Sequence, residues 1–281
     1  MPRGSKPVPG RYVWKVKPTD KGKIAKWKVR WIVQGFRQRA GHDYDKDRLY
    51  ASVANVVTVR VVLATACELG WQIHQMDVKA AYLCSKLEEN VRMYIKCPDG
   101  YRLDEGMSAR LLSGLYGTRQ GASLWGNLRT KVLKKHNCRQ SLADPSLYTR
   151  KDNLGKLLVT CIVDDFVITG DTPAILDFKR LIAKEWEMTD EGRLFWCLNL
   201  RVTRDLQRGL LKIDQAQYAQ EIIERFGMEC ANPCARNQCY LWLRAQTNQT
   251  NTKKLSPMRA HLALSYICDL LAQTAWSPSA F

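Results

Sequence analysis

Two adjacent aspartates, Asp164 and Asp165, interrupt a largely apolar run that covers residues 157–169. Neighbouring carboxylates in such a run lose hydration and repel each other, so their placement costs stability unless something compensates. The residues on either side are typical of β-strands, and the pattern therefore predicts a β-hairpin with both carboxylates at its turn. A polar turn without any further function would explain the pair equally well.

A third aspartate favours a functional site over a simple polar turn. Asp77 lies near the end of another strand-like segment, residues 72–78. If the two strands pair, three carboxylates converge at one edge of a sheet. Phosphoryl transfer requires such a cluster, because two Mg²⁺ ions held about 3.5–4 Å apart clamp the attacking hydroxyl and the leaving pyrophosphate. The pattern predicts a metal site in which Asp77 and Asp164 are the main ligands and Asp165 is more peripheral.

The charge of the chain favours a polyanionic partner. It carries 44 Lys and Arg against 27 Asp and Glu, a net charge of +17. Basic side chains beside phosphates release counterions, although charge alone does not distinguish nucleic acid from an acidic membrane surface. No apolar stretch of about 18 residues exists, and the first residues lack the apolar run of a signal peptide. We therefore expect no membrane contact and no secretion.

A basic segment near the N-terminus has the alternation of a strand. Residues 26–36 place Trp27 and Trp31 on one face, and Lys28 and Arg30 on the other. The basic face would suit phosphates, and a solvated strand face is an equal alternative.

The remaining pattern predicts an α+β fold with a largely antiparallel sheet. Helices are expected at 56–69, 124–135, 173–187 and 215–226, and further strands at 194–202 and 209–213. Beyond residue 228 the pattern weakens into a polar segment at 246–252 and one possible helix at 258–273.

An ordered set of motifs resembles the copia-type reverse transcriptases of long-terminal-repeat retrotransposons. The set comprises Lys-Val-Arg at 28–30, Gln-Gly-Phe-Arg-Gln at 34–38, Gly-His-Asp-Tyr-Asp at 41–45, Asp-Val-Lys-Ala-Ala-Tyr-Leu at 77–83, Gly-Leu-Tyr-Gly-Thr-Arg-Gln at 114–120 with Trp125, Ala-Asp-Pro-Ser-Leu-Tyr at 143–148, Ile-Val-Asp-Asp at 162–165, and Tyr218 with Phe-Gly-Met at 226–228. Each motif is weak alone, but their collinear order from about residue 11 to 228 is specific.

The resemblance implies a right-hand polymerase with an antiparallel palm sheet and a thumb that is partial or missing. The reverse transcriptase domain would cover 11–228 and a divergent tail 229–281. Within the domain, the implied divisions are fingers at about 11–72 and 92–150, palm at about 73–91 and 151–205, and the start of the thumb or connection at 206–228.

The resemblance also assigns roles residue by residue. Asp77, Asp164 and Asp165 correspond to metal ligands, and the backbone carbonyl of Val78 to one more. Tyr82 matches an aromatic gate that selects deoxynucleotides, although ordinary core packing would also explain this residue. The implied nucleotide contacts are Gln120, with Lys28 and Arg30 at the triphosphate. Residues 194–200 occupy the place of the hairpin that grips the primer.

The implied activity is RNA-directed DNA synthesis with two Mg²⁺ ions, or Mn²⁺ in their place. The implied partners are an RNA or DNA template with its primer, deoxynucleoside triphosphates, and other domains of a Pol polyprotein. The implied location is the cytoplasm, within virus-like particles, or the nucleus.

Several departures from the family pattern indicate a drifted copy. Ile162 replaces a usual Tyr, Ser52 a Pro, Asn55 an Arg and Asn199 a Gly, and the stretch after Gln120 lacks its usual Pro and Arg. The alternative hypothesis is therefore a catalytically inactive remnant of the same fold that still binds nucleic acid. A third is a decayed product that folds poorly. The cysteines at 230, 234 and 239 lack a fourth zinc ligand nearby and are expected to be ordinary thiols.

Overall fold

A computed structural model of the chain describes residues 6–18, 24–89, 91–101, 104 and 107–227. The α-helices in these ranges are α1 (Val56–Glu68), α2 (Gly121–Lys135), α3 (Thr172–Glu185) and α4 (Ala216–Arg225). The strands are β1 (Gly10–Pro18), β2 (Ile24–Val33), β3 (Gln72–Val78), β4 (Tyr94–Ile95), β5 (Ala109–Arg110), β6 (Arg139–Gln140), β7 (Leu147–Asp152), β8 (Gly155–Ile162), β9 (Asp165–Gly170), β10 (Met188–Arg193), β11 (Trp196–Cys197), β12 (Leu200–Asp205) and β13 (Leu210–Asp214).

The chain divides into two compact units. Of the described residues, those within Met1–Val53, Val78–Cys138 and Ile182–Met188 form the first unit, and those within Ala54–Asp77, Arg139–Leu181 and Thr189–Phe281 form the second. The division into fingers and palm stays a prediction.

The second unit is built on a six-stranded sheet with the order β10-β3-β9-β8-β7-β6. The ladders that join β3, β9, β8, β7 and β6 are all antiparallel. The mixed α and β content and the antiparallel sheet confirm the coarse fold prediction. The predicted hairpin over 157–169 is present as β8 and β9.

Helix α1 covers part of this sheet. It begins where the Asn55 side chain accepts a hydrogen bond from the Val57 amide at 2.9 Å, and it ends before Gly70, whose positive φ of 67° suits glycine. Its apolar residues Val59, Leu63 and Ala66 pack in one cluster with Ile73 and Val167 of the sheet. The apolar stripe of α1 thus packs on the sheet face that carries Ile73 and Val167.

A separate three-stranded sheet, β11-β12-β13, also belongs to the second unit. The prediction of one continuous strand over 194–202 is wrong, because the chain reverses at Leu198 and Asn199. Both residues have positive φ, 50° and 61°, as two-residue hairpin turns of the common primed type require. Leucine gives no sequence signal for such a turn.

The first unit contains the β1–β2 hairpin and α2. The register pairs Trp14 with Val29 and Val16 with Trp27, while Lys15 opposes Lys28. This confirms the predicted alternation of an aromatic and a basic strand face. The strand ends at Val33, earlier than expected, and a 3-10 helix follows at Gly35–Arg37.

The remaining predicted helices are confirmed to within a few residues as α2, α3 and α4. Among the described helices none is long and apolar enough to cross a membrane. The polar segment at 246–252, the helix expected at 258–273 and the cysteines at 230, 234 and 239 lie outside the described residues.

A polar network ties α3 to the sheet of the second unit. The buried Lys179 ammonium donates to both carboxylate oxygens of Asp190, at 2.7 and 2.9 Å, and to Nδ1 of His74 at 2.9 Å. The Nε2 of His74 lies 3.0 Å from the side-chain oxygen of Gln72. Burial and the Lys179 charge lower the pKa of His74, so the folded protein favours the neutral imidazole that this network requires.

The network predicts a loss of stability in mild acid. The unfolded chain protonates His74 near its ordinary pKa of 6.5, whereas the folded chain resists protonation to lower pH. The free energy of unfolding should therefore fall as the pH drops below about 6.5. Urea unfolding at about pH 7.5 and pH 5.5 measures this. His74→Gln should weaken the pH dependence, and His42→Gln, at an exposed histidine, should leave it intact. Equal pH dependence in both variants would contradict the account.

Candidate active site

The paired aspartates lie at a tight hairpin turn in the second unit. Ile162 of β8 pairs with Asp165 of β9, so the turn consists of Val163 and Asp164 alone. Val163 has φ of 55°, a conformation that β-branched residues rarely adopt and that costs of order 1–3 kcal/mol. Strain of this kind persists only where the surrounding structure enforces it, which here is the ladder on both sides of the turn.

Asp77 lies directly opposite Asp165. The antiparallel β3–β9 ladder pairs these two residues, and one position further along it pairs Met76 with Phe166. Directly opposed residues point to the same face of a sheet. The buried Met76 and Phe166 anchor the other face, so the two carboxylates share the face away from that part of the core, beside Asp164 at the turn.

The environment of Asp165 disfavours its charge. Burial raises the pKa of this carboxyl, and the negative charges of Asp164 and Glu191 raise it further. A hydrogen bond from the Gln75 amide, 3.0 Å from the Asp165 carboxylate, acts in the opposite direction. A bound cation would relieve both the desolvation and the repulsion.

The donor chemistry of this edge fits a hard divalent cation, since every candidate side chain offers carboxylate oxygens. Within the described part of the chain, however, no group of three or more His, Cys, Asp or Glu side chains is already arranged to hold a metal ion. The register therefore brings the predicted ligands into neighbouring positions, and a cation would have to draw their oxygens together.

A pocket of about 300 Å³ adjoins Asp165. One wall comes from the sheet and the other from the β11–β12 turn, which is the segment assigned by resemblance to gripping the primer. The lining residues are Gln75, Ile162, Asp165, Val167, Trp196, Cys197, Leu198 and Asn199. The pocket thus places the predicted grip beside a predicted catalytic carboxylate.

Two departures from the family pattern are accommodated by this geometry. Asn199, in place of a usual glycine, has φ of 61°, a conformation that asparagine adopts more readily than most residues. Ile162, in place of a usual tyrosine, is buried in the cluster that contains Val59 and Leu63. Neither change disrupts the fold around the carboxylates.

In the first unit, two of the predicted nucleotide-binding residues, Tyr82 and Arg30, both contact the ring of Tyr116. The Tyr82 ring lies on a 3-10 helix, Ala81–Cys84, with its centroid 4.6 Å from that of Tyr116. The guanidinium carbon of Arg30 stands 5.1 Å from the same Tyr116 ring. Lys28 lies on the same strand face as Arg30 and is half-buried.

Gln120 is not presented to solvent. Its amide nitrogen donates to the backbone oxygen of Asp43 at 3.0 Å, and its oxygen accepts from Gln38 at 2.8 Å. These bonds give the side chain a structural role at the start of α2, so its contact with a nucleotide stays a prediction.

Two residues that contact predicted site residues were not predicted to have a role. Gln75 contacts Asp165, and because it lies two positions before Asp77, strand periodicity alone places it on the carboxylate face. Tyr116 lies within the motif at 114–120, but only the fold brings its ring against Tyr82 and Arg30.

Comparison with known proteins defines the class. Residues 1–238 match the sequence pattern of the family described as reverse transcriptase (RNA-dependent DNA polymerase). The match covers well over half of the chain, which therefore belongs to this family, and the resemblance to copia-type enzymes is confirmed.

Three of the similar proteins are plant retrotransposon polyproteins. The retrovirus-related Pol polyprotein from transposon TNT 1-94 of Nicotiana tabacum is 28% identical over 237 residues, which cover 83% of this chain and 18% of that protein. Those from transposons RE1 and RE2 of Arabidopsis thaliana are 26% and 27% identical, over 79% and 80% of this chain and 15% of each relative. The chain thus spans less than a fifth of the length of these relatives.

The strained turn gives a testable consequence. Val163→Gly should increase the free energy of unfolding by about 1 kcal/mol, since glycine adopts positive φ without a steric penalty. Urea denaturation measures the change. Val53→Gly, at an exposed valine without positive φ, is the control and should be neutral or slightly destabilising. A destabilised Val163→Gly variant would show that the side chain contributes more than its backbone strain costs.

Proposed function

We propose that this chain is an RNA-directed DNA polymerase that adds deoxynucleotides to the 3′-hydroxyl of a primer. The observation that carries the proposal is the opposition of Asp77 and Asp165 on paired strands, with Asp164 at the adjoining turn. An RNA or DNA template with its primer and deoxynucleoside triphosphates are the substrates. Other domains of a longer Pol polyprotein are the expected partners.

The carboxylates would hold two Mg²⁺ ions, with Mn²⁺ as a substitute. Asp77 and Asp164 are the proposed principal ligands, and Asp165 and the Val78 carbonyl the accessory ones. When bound, such ions polarise the phosphate and lower the pKa of the attacking hydroxyl. The paired strands of the sheet fix the backbone positions of these ligand residues. Catalysis of this kind depends mainly on the positioning of the reacting groups and on stabilisation of charge.

The proposed nucleotide contacts are Tyr82, Arg30 and Lys28. The Tyr82 ring is proposed to pack under the sugar and exclude a 2′-hydroxyl, and the exposed guanidinium of Arg30 and the ammonium of Lys28 to bind the triphosphate. The basic face of the β1–β2 hairpin supports this, because Arg11, Lys15, Lys28 and Arg30 point to one side of it. Gln120 would have to exchange its present partners to contribute.

The proposed architecture is the fingers and palm of a right-hand polymerase. Fingers are proposed at about 11–72 and 92–150, and palm at about 73–91 and 151–205. Strand β3 and the carboxylate hairpin β8–β9 then lie in the proposed palm, and the β1–β2 hairpin in the proposed fingers. The division at 11–228 and 229–281, with the thumb beginning at about 206, is part of the same proposal.

Primer extension by the full chain on an RNA template tests the proposal. Wild-type protein should incorporate deoxynucleotides with Mg²⁺ and stop when the metal is chelated. Asp77→Asn and Asp164→Asn should each lower the rate by about a hundredfold or more, because each weakens metal binding worth several kcal/mol in the transition state. Asp47→Asn, at an exposed aspartate on a 3-10 helix, should leave the rate unchanged.

Two results would overturn the assignment. Extension that survives Asp164→Asn would remove the metal-ligand role. Salt-sensitive binding of template–primer by wild-type protein without incorporation would instead indicate the inactive binding remnant.

A further inference from the structure

Tyr116 occupies a central position among the nucleotide residues of the first unit. Its ring lies 4.6 Å from that of Tyr82, tilted by 60°, and the Arg30 guanidinium lies 5.1 Å from its centroid. A guanidinium within about 6 Å of an aromatic centroid is attracted to the ring. One side chain therefore contacts both the proposed sugar gate and a proposed triphosphate ligand.

Glycines on both sides of Tyr116 allow its backbone to pack closely against neighbouring segments. Gly114 donates to the Ser85 carbonyl at 2.7 Å, and a side chain at Gly114 would collide with the Tyr82 carbonyl. Gly117 has φ of 90°, and a side chain there would collide with the backbone of Val33. Between them, the Tyr116 carbonyl accepts from the Val33 amide at 2.9 Å.

These contacts fix the backbone from which the Tyr116 ring projects. The segment packs against the 3-10 helix that carries Tyr82 and against the end of the strand that carries Arg30. The half-buried Tyr116 side chain has only two side-chain torsions, whereas the exposed Arg30 side chain has several. Contact with Tyr116 therefore limits the directions that Tyr82 and Arg30 can take.

We propose that Tyr116 is a positioning residue that orients Tyr82 for sugar discrimination and holds Arg30 ready for the triphosphate. The inference rests on the proposed function. Tyr116 does not touch the reacting atoms and acts through its two neighbours. Its aromatic ring is the required feature, and Tyr116→Phe preserves that ring.

The test measures nucleotide affinity and the discrimination between deoxynucleotide and ribonucleotide. The full chain is bound to an RNA template with a dideoxy-terminated primer, and the next deoxynucleotide or ribonucleotide is titrated with Mg²⁺ to obtain its Kd. The same variants are assayed with an extendable primer for kcat and KM. Tyr116→Leu should raise the Kd and KM for the deoxynucleotide roughly five- to tenfold, with a smaller change in kcat, and should reduce discrimination against the ribonucleotide.

Matched variants separate positioning from folding. Tyr116→Phe should behave like the wild type in affinity and discrimination. Tyr101→Leu, at a tyrosine that is 75% exposed, should do so as well. If Tyr116→Leu fails to melt cooperatively, Tyr116→Met replaces it, because this variant also removes the ring but keeps a long apolar side chain. It should raise Kd and KM by a similar factor.

Each outcome decides the matter. A folded Tyr116→Leu variant with wild-type Kd and discrimination overturns the inference, as does a folded Tyr116→Met variant with the same values. If wild-type protein binds the deoxynucleotide but does not extend the primer, the proposed activity fails while the Kd values still decide the role of Tyr116. If it neither binds nor extends, both are overturned.

Discussion

The pairing of β3 with β9 is the interaction on which the candidate site depends. It sets Asp77 across from Asp165, and the short β8–β9 turn adds Asp164 beside them. A slip of one residue in this ladder would turn one of the two opposed carboxylates toward the face that carries Met76 and Phe166. The buried pair Met76 and Phe166 opposes such a slip, because moving either side chain out of the core would expose a large apolar surface.

The carboxylate edge illustrates how a fold can hold groups that disfavour one another. Burial and neighbouring negative charges raise the pKa of Asp165, and Val163 holds a conformation that its side chain resists. Both features cost stability and both adjoin the same turn. Clustering of unfavourable features at one place is expected where function, and not folding alone, determines the residues.

The sequence predicted the elements whose signal is local. Strand β3, the β8–β9 hairpin and the four helices follow from apolar periodicity and from glycines that end helices, such as Gly70. It did not predict β7, since Arg150 reads as an exposed residue and is buried only because Asp152 and Asp177 pair with it. The turn at Leu198 and the contacts of Tyr116 were likewise hidden, because both depend on residues distant in the chain or on a conformation that leucine seldom adopts.

The pocket beside Asp165 also contains a thiol, Cys197. Burial, with the Asp165 charge as a lesser cause, raises the pKa of this thiol to about 11. Alkylation and peroxide oxidation both proceed through the thiolate, and almost none is present at neutral pH. Electrophiles that react readily with ordinary cysteines should therefore spare this wall of the pocket, which stays chemically durable under oxidising conditions.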